Sequence, residues 1–289
     1  MRRVPVFRVF GRVVDERGEP AAGAVLQVST ARMKATADGD GKFEWQGVRA
    51  GNEVVQAEWH RGDSLLRGFT PITVQDHDIE NVTVRVAPPV IVSGTVELDG
   101  KPAPVEGGAL LEPVDGEGSP DRVSFSASEI RFEGVYPGRY QLHVYVSTGF
   151  GHSMYMDSVR LGERDITMDP FEIGPGLLPF RVILKTGGGH VRGTVDEGVG
   201  GIVVLVPKDE RLRLPEFMAT SFFSGSNFQV ENVRPGDYYA FAVKGVFNQG
   251  QMRDPAYAGP RLSGAPAVRV ENNGTATVTL VYVNEPSVQ

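Results

Sequence analysis

The chain has 289 residues, of which 36 are glycine and 20 are proline; it contains no cysteine, and its formal net charge is −7. The lack of cysteine excludes disulfide bonds, thiolate zinc sites and a cysteine nucleophile. Positive and negative residues are interspersed, no cluster of Lys or Arg alternates with aromatic residues, and there is no apolar run of about 18 residues, so we expect neither a nucleic-acid partner nor a membrane span.

The first predicted element is a strand from Val6 to Val14 that contains Gly11. The same arrangement, a glycine followed by Arg or Thr and then Val, returns at Gly94 and at Gly193. A glycine inside a strand lowers its stability and marks a bulge or the close approach of another backbone. Its recurrence predicts three units, each opening with a strand whose glycine is required by packing.

A turn and a second strand follow the opening strand in each unit. In the third unit this second strand is the apolar run from Ile202 to Val206. A continuous apolar run of this length is typical of a strand that is buried on both faces.

Further along each unit lies a strand that ends in a corner. Each copy alternates apolar and polar residues and then has Gly or Asn, Val, any residue, Ala or Pro, and Gly. The copies lie at 43–51, 130–138 and 228–236. The alternation predicts a half-buried strand, and the glycine-bounded end predicts a turn that reverses the chain into a longer strand.

Three copies of one unit are stronger evidence for domain number than length alone. We predict an all-β protein of three tandem antiparallel immunoglobulin-like sandwiches, at residues 1–87, 88–187 and 188–289. No amphipathic helix is predicted, and the segment 211–215 is predicted to be an edge strand or a loop. The proline joint after Ala87 is expected to be stiff and the glycine joint at 187–189 looser.

The first unit carries the most specific signature. It contains Gly-x-Val-x-Asp-x-x-Gly-x-Pro, then Gly-Ala-x-Val, then Thr-x-Asp-Gly-Asp-Gly-x-Phe, then Gly-Val-x-x-Gly. The matching residues are Gly11, Val13, Asp15, Gly18, Pro20, Gly23, Ala24, Val25, Thr36, Asp38, Gly39, Asp40, Gly41, Phe43, Gly47, Val48 and Gly51. This pattern resembles the carboxypeptidase regulatory-like family, which is similar to transthyretin and to the collagen-adhesin B-type repeats. The other two units match it only in the opening strand and the corner.

The resemblance has three implications. It implies a prealbumin-like sandwich, and no peptidase activity, because this domain is the non-catalytic companion of the enzyme. Tandem arrays of such domains occur in large exported bacterial proteins, so an extracytoplasmic location in the periplasm, at the cell surface or outside the cell is expected.

Asp38 and Asp40 invite a calcium-site interpretation, since calcium prefers several oxygen ligands. No further acidic residue closes this loop at the required distance, and Asp-Gly between two strands is a strong hairpin signal. We therefore predict a hairpin turn here and leave weak metal binding open.

No catalytic set is apparent. The five histidines are scattered, and none makes the helical pair of a zinc protease. The serines at 224 and 226 lie in a turn without an identifiable base or acid. The Tyr-Arg-Gly-Ser ending of the transthyretin-like hydrolases is missing, so that activity is only a distant alternative. We predict no catalytic residue, no cofactor and no metal.

Trp45 and Trp59 suggest a sugar-stacking platform and thus a carbohydrate-binding module as an alternative. The later copies have Phe132 and Val230 in the place of Trp45, however, and a position that exchanges Trp for Phe and Val is typical of a core. We therefore favour a buried Trp45.

The predicted interaction surface consists of His152, Met154, Tyr155 and Met156, because Met and Tyr are enriched at interfaces. The predicted function is a non-enzymatic structural or adhesion module of a bacterial surface or secreted protein. Such a module would meet a protein or glycan partner at sheet edges or loops. The ligand and the oligomeric state are left open.

Overall fold

A computed structural model describes residues 5–28, 31–114, 120–146, 154–245 and 247–283 of the chain. These residues form three tandem β-sandwiches, as predicted. In each, the opening strand lies between the corner strand and the last strand of the unit, and it pairs with the last strand in parallel. All other strand pairs are antiparallel, apart from one isolated parallel bridge.

The first domain has two sheets, ordered β4-β1-β7 and β3-β2-β5-β6. Its strands are β1 (Val6–Val14), β2 (Val25–Val28), β3 (Ala31–Thr36), β4 (Lys42–Arg49), β5 (Gly51–Arg61), β6 (Ser64–Val74) and β7 (Ile79–Arg85).

The second domain repeats this plan with an added hairpin. Its strands are β8 (Val90–Leu98), β9 (Lys101–Pro102), β10 (Gly107–Pro113), β11 (Asp121–Phe125), β12 (Glu129–Val135), β13 (Gly138–Val146), β14 (Met154–Leu161), β15 (Arg164–Asp165), β16 (Phe171–Ile173) and β17 (Phe180–Thr186). One sheet is ordered β11-β10-β13-β16 and the other β12-β8-β17-β14-β15, with β9 beside β8. The added strands β14 and β15 therefore extend the sheet beyond β17.

The third domain has the sheets β21-β18-β24 and β20-β19-β22-β23. Its strands are β18 (Gly189–Val195), β19 (Gly201–Pro207), β20 (Ala219–Phe223), β21 (Asn227–Val233), β22 (Gly236–Val243), β23 (Ala267–Val270) and β24 (Thr275–Leu280).

The repeated corner carries the chain from one sheet to the other. Just before it, two residues of the corner strand lie opposite one residue of the opening strand, which is a β-bulge. The second residue of each bulge has a positive φ: 87° at Gly47, 77° at Gly134 and 57° at Asn232. Gly adopts this region without a steric penalty and Asn tolerates it, which is why the motif allows only these two residues.

The recurring glycine of the opening strand is required by close packing, as predicted. A Cβ atom at Gly11 would meet the Val82 carbonyl and, at 2.7 Å, the Phe43 ring. One at Gly94 would collide with the Phe180 ring.

Each sandwich has its own hydrophobic core, spanning residues 9–86, 92–184 and 191–280. We propose that the domain boundaries lie between these clusters, near Ala87 and Gly187. No helix in the described part of the chain is both long and apolar enough to cross a membrane.

The prediction of no amphipathic helix is wrong for the third domain. The α-helix α1 (Pro255–Leu262) and three 3-10 helices, Glu210–Leu212, Pro215–Phe217 and Gln249–Arg253, lie in its connections. The segment 211–215, predicted as an edge strand or a loop, thus belongs largely to two helical turns. Pattern analysis misses α1 because it is only eight residues long and contains Gly259 and Pro260, two poor helix formers.

Helical segments cover the outer face of the four-stranded sheet of the third domain. Met252 and Ala258 pack with Val204 and Val206 of β19 in a separate hydrophobic cluster. Val203 and Leu205 of the same strand face the sandwich core. The apolar run in β19 is therefore buried on both faces, as predicted.

Candidate functional site

A cleft lies between the second and third domains. It has a volume of about 330 Å³. The second domain contributes the ends of β13 and β17 and the start of β14; the third contributes the turn 215–220, the corner 230–234 and Tyr238. We call it the interdomain cleft.

Three of the four residues of the predicted interaction surface line this cleft. Met154, Tyr155 and Met156 stand at the start of β14, on the hairpin that only the second domain has. Met154 is only 4% exposed and belongs to the core of its own domain. His152 lies outside the described residues. Met156 also packs against that core, so the surface is shared between the core of the second domain and the cleft that faces the third.

Beside the cleft, His143 lies between two carboxylates from different domains. Its Nδ1 is 2.8 Å from Oε1 of Glu216 in the third domain, and its Nε2 is 3.3 Å from Oε2 of Glu112 on β10. The His143 side chain is 8% exposed and that of Glu216 is 3% exposed. His143 points outward from its sheet, and the 3-10 helix that carries Glu216 covers it.

The electrostatic setting favours the charged form of this histidine. Burial by itself would lower the pKa of His143, but the hydrogen bond with Glu216 and the negative charges of Glu216 and Glu112 outweigh burial and raise that pKa. With both ring nitrogens facing carboxylate oxygens, an imidazolium can donate to both. In its charged form His143 is a cationic bridge between the two domains.

Arg234 provides a second link across the same joint. It occupies the variable position of the third corner motif, its Nη2 donates to the Asp157 carbonyl at 3.4 Å, and its guanidinium lies 5.7 Å from the centre of the Phe217 ring. Further out, Arg211 donates to Asp169 at 3.0 Å across the joint.

Two buried polar atoms at the cleft have no hydrogen-bond partner among the described residues, namely Nε of Arg234 and Oε2 of Glu216. They are of opposite polarity. A buried polar group is costly to leave unpaired, so water or a polar ligand group is expected at both.

Two ionisable groups at and beside the cleft, Tyr238 and His143, are engaged with the backbone or with other ionisable groups. Both ring nitrogens of His143 face carboxylates, so neither is available to take a proton from a nucleophile. Burial raises the pKa of Tyr238 to about 12, and its hydroxyl donates to the Arg234 carbonyl at 2.7 Å, so it stays protonated near neutral pH. No metal-binding group of three or more His, Asp or Glu side chains occurs in the described ranges.

The first joint is simpler. Tyr136 donates to the Leu65 carbonyl at 3.4 Å, and the guanidinium of Arg67 lies 5.0 Å from the centre of the Tyr136 ring. Neither contact is a buried ion pair. The expectation that the glycine joint is the looser of the two therefore finds no support in the contacts.

Asp38 and Asp40 form a turn, but not a hairpin. Asp38 Oδ1 accepts hydrogen bonds from the backbone N–H groups of Asp40 and Lys42 at 2.9 and 2.8 Å, and Asp40 pairs with the Lys42 ammonium. The strands on either side, β3 and β4, lie in different sheets. The hairpin prediction is wrong because an Asp-Gly turn can also carry the chain across a sandwich.

The two tryptophans do not form a sugar-stacking platform. Trp45 is 3% exposed and packs edge-on to Phe43, with ring centres 5.7 Å apart. Trp59 is half-buried against the same core and donates to the Ala22 carbonyl at 3.0 Å. The prediction of a core position for Trp45 is confirmed.

No protein-family model and no curated protein sequence matches the chain. Among solved structures, it is similar to a streptococcal ancillary pilin, with 10% identity, a TM-score of 0.30, and coverage of 97% of this chain and 100% of that one. It is similar to the minor pilin of Streptococcus agalactiae, with 12% identity, a TM-score of 0.31, and coverage of 62% and 96%.

The Bacillus anthracis TIE protein is a third similar structure, with 14% identity, a TM-score of 0.24 and coverage of 97% of this chain. The chain spans about half of the length of that protein, 51%. TM-scores of this size carry no argument about function, and the sandwich fold rests on the strands themselves.

The sequence does not single out His143, Glu216 or Arg234, which are three of the residues that link the domains. His143 stands at an outward position of β13, between Gln141 and Tyr145, where the alternation alone predicts exposure, and only the structure shows that it is buried. Glu216 and Arg234 have no signal, since each lies at a position where almost any residue fits the local pattern.

Proposed function

We propose that the chain is a non-enzymatic structural module that works outside the cytoplasm, in which the second and third domains form one rigid unit. The observation that carries the proposal is His143 between Glu112 and Glu216. This histidine, beside the cleft, joins two domains, and both of its ring nitrogens face carboxylate oxygens.

Two further features support this reading. The start of β14, with Met154, Tyr155 and Met156 of the predicted interaction surface, lines the cleft between the second and third domains, and Met and Tyr are enriched at interfaces. The resemblance of the first domain to carboxypeptidase regulatory-like repeats supports an extracytoplasmic location and a role as a spacer or adhesion unit. Other proteins would then bind at its exposed sheet edges and loops.

The rigid joint can be tested with spin labels, because the chain has no cysteine of its own. We would label Ser126→Cys and Asn272→Cys, both exposed, and measure their distance by double electron–electron resonance. A narrow distance distribution is expected. A matched pair across the first joint, Asp40→Cys with Ser126→Cys, should give a broader one.

A distribution across the second joint as broad as that across the first would contradict the rigid unit.

The adhesion role is tested separately, by applying the full chain to an array of glycans and matrix proteins. Selective protein binding is expected, and the absence of a binding signal on every protein spot would contradict the adhesion role. Location is tested by treating intact host cells with a protease: resistance of the protein to cleavage would contradict surface exposure.

A further inference from the structure

The three domains have edge strands at equivalent places, and one of them differs from the other two. β3, β11 and β20 each end their four-stranded sheet, beside β2, β10 and β19 respectively. Because the three domains share this topology, the residues of the three edge strands can be compared directly.

Charged side chains on an edge strand discourage pairing with another chain. β3 carries Lys34, and β11 carries Asp121 and Arg122. β20 reads Ala-Thr-Ser-Phe-Phe and has neither a charge nor a proline. In the sequence, no charged residue occurs from Phe217 to Val230.

β20 also exposes a large apolar side chain. Phe222 is 84% exposed on the outer face of the sheet, opposite Ile202 of β19. Ala219 and Phe223 point the other way and pack against the sandwich core. Covering an exposed phenyl ring of this size is worth about 1.5–3 kcal/mol.

The apolar surface continues at one end of the strand. The ring of Tyr282 stacks on Phe223 with ring centres 6.3 Å apart, and its hydroxyl accepts from the Val199 N–H at 3.1 Å. Val199 is 76% exposed and Val281, next to the tyrosine, is 53% exposed.

We propose that β20 pairs with β20 of a second copy of this chain, in an antiparallel arrangement with its two-fold axis at Ser221. In a two-fold symmetric pairing, the edge strand meets the same strand of the other chain. A charged residue on this strand would therefore lie near the same residue of the other chain and be repelled by it. A neutral edge is the kind that tolerates self-pairing, and it is the least repulsive place for two molecules with a net charge of −7 to meet.

This register also fits the side chains. With Ser221 opposite Ser221, Phe222 of one chain lies opposite Thr220 of the other on the outer face, and Phe223 lies opposite Ala219 on the inner face. Each large side chain is thus set against a small one. A five-residue edge is small for an interface, so the dimer is weak and dissociates on dilution.

The proposed function places partner binding at exposed sheet edges, and the dimer rests on that proposal by specifying a second copy of the chain as the partner. It is tested by sedimentation velocity on the full chain across about two decades of concentration, to on the order of 500 μM, because weak self-association is detected only in that range. The wild type should show a dimer. Phe222→Lys, which places a charge on the edge, should weaken dimerisation by at least about tenfold, equivalent to 1.4 kcal/mol.

Leu178→Lys is the matched control, because it removes another exposed apolar side chain, 62% exposed, from a different domain. It should dimerise as the wild type does, and equal thermal stability of both variants shows that folding is intact. A monomeric wild type, or a dimer that survives Phe222→Lys, would overturn the proposal.

The register has a test of its own. Ser221→Cys gives the chain a single thiol, and residues directly opposite in antiparallel strands have Cβ atoms about 4.5–5.5 Å apart, so a small local shift brings them within the about 3.5–4.5 Å that a disulfide spans. Mild oxidation should therefore cross-link Ser221→Cys at least tenfold faster than the exposed control Ser126→Cys. Equal rates would exclude this pairing, while leaving the rigid unit, which is measured within one chain, untouched.

Discussion

Asn232 occupies in the third domain the place that Gly47 and Gly134 occupy in the other two. The shared property is a positive φ at the second residue of a bulge. At Gly47 an added Cβ would meet nothing within 4 Å, so the restriction comes from the backbone and not from packing. The exchange of Gly for Asn follows from the conformational preference of a single residue.

This argument predicts different results for two substitutions at Gly47. Gly47→Val should destabilise the first domain by about 1–2 kcal/mol, because a β-branched residue is strained at positive φ. Gly47→Asn should cost less than half of that. Urea unfolding followed by tryptophan fluorescence measures it, since both tryptophans, Trp45 and Trp59, lie in this domain. Equal losses for Asn and Val would contradict the backbone explanation.

At Gly11 the restriction is spatial. Gly11→Ala should destabilise the first domain by about 1–3 kcal/mol, because the new methyl group collides with the Val82 carbonyl and the Phe43 ring. Gly39→Ala is the control in the same domain, since its Cβ would lie in open space. The same fluorescence titration separates the two, and an unchanged midpoint for Gly11→Ala would show that β1 and β7 can move apart.

At the scale of the element, β19 shows how a strand becomes buried on both sides. Its inner residues pack in the sandwich, and its outer residues are covered by α1 and the 3-10 helix before it. These helical segments are held by their caps: Asp254 accepts from the Ala256 N–H at 2.9 Å, and Asn248 from the Gly250 N–H at 3.1 Å. Weak helix formers can thus stay helical because the strand below offers an apolar surface.

We expect Met252→Ala to loosen this cover. Met252 is fully buried in the outer cluster, so truncation should cost about 2–5 kcal/mol. Hydrogen exchange by mass spectrometry should show faster exchange in 249–262 than in β18 and β21 of the other sheet. Leu178→Ala, at an exposed position, should leave both regions unchanged. Uniform loss of protection across the third domain would mean that the helices do not form a separate unit.

At the scale of the molecule, we expect the second joint to be sensitive to pH. The pKa of His143 is raised above its ordinary value of 6.5 by the carboxylates around it, after the opposing effect of burial. Its contribution to domain coupling is therefore fully present below that ordinary value and is lost as the pH rises through the raised pKa. Glu112, Glu216, Arg122 and Tyr145 are the other ionisable groups of this cluster.

The expected outcome is a narrow distance distribution between labels at 126 and 272 near about pH 6 and a broader one near about pH 9. His143→Gln should remove this dependence on pH, because a neutral amide replaces the cation. The pair of labels across the first joint should not respond. A joint in the His143→Gln variant that still responds to pH would show that another group controls it.

Much of the fold could be predicted because it depends on intrinsic properties of single residues. The positive φ of the corner, the missing Cβ of the opening strand and the apolar run in β19 are encoded at single positions, and they repeat with the domain. The position of Trp45 in the core follows from its exchange with Phe132 and Val230. From these features the architecture of three sandwiches can be predicted before any long-range contact is known.

Only the tertiary structure decided what covers the outer faces of the sheets. Glu216 meets His143 from 73 residues away in the chain, and Tyr155 lines the interdomain cleft because β14 is added at one particular sheet edge. The Asp38 turn crosses between sheets for the same reason: strand pairing is chosen among distant partners. Local sequence determines the backbone conformation of a residue and the face of the strand on which it lies. Which segment covers that face depends on which distant parts of the chain pack together and exclude water between them.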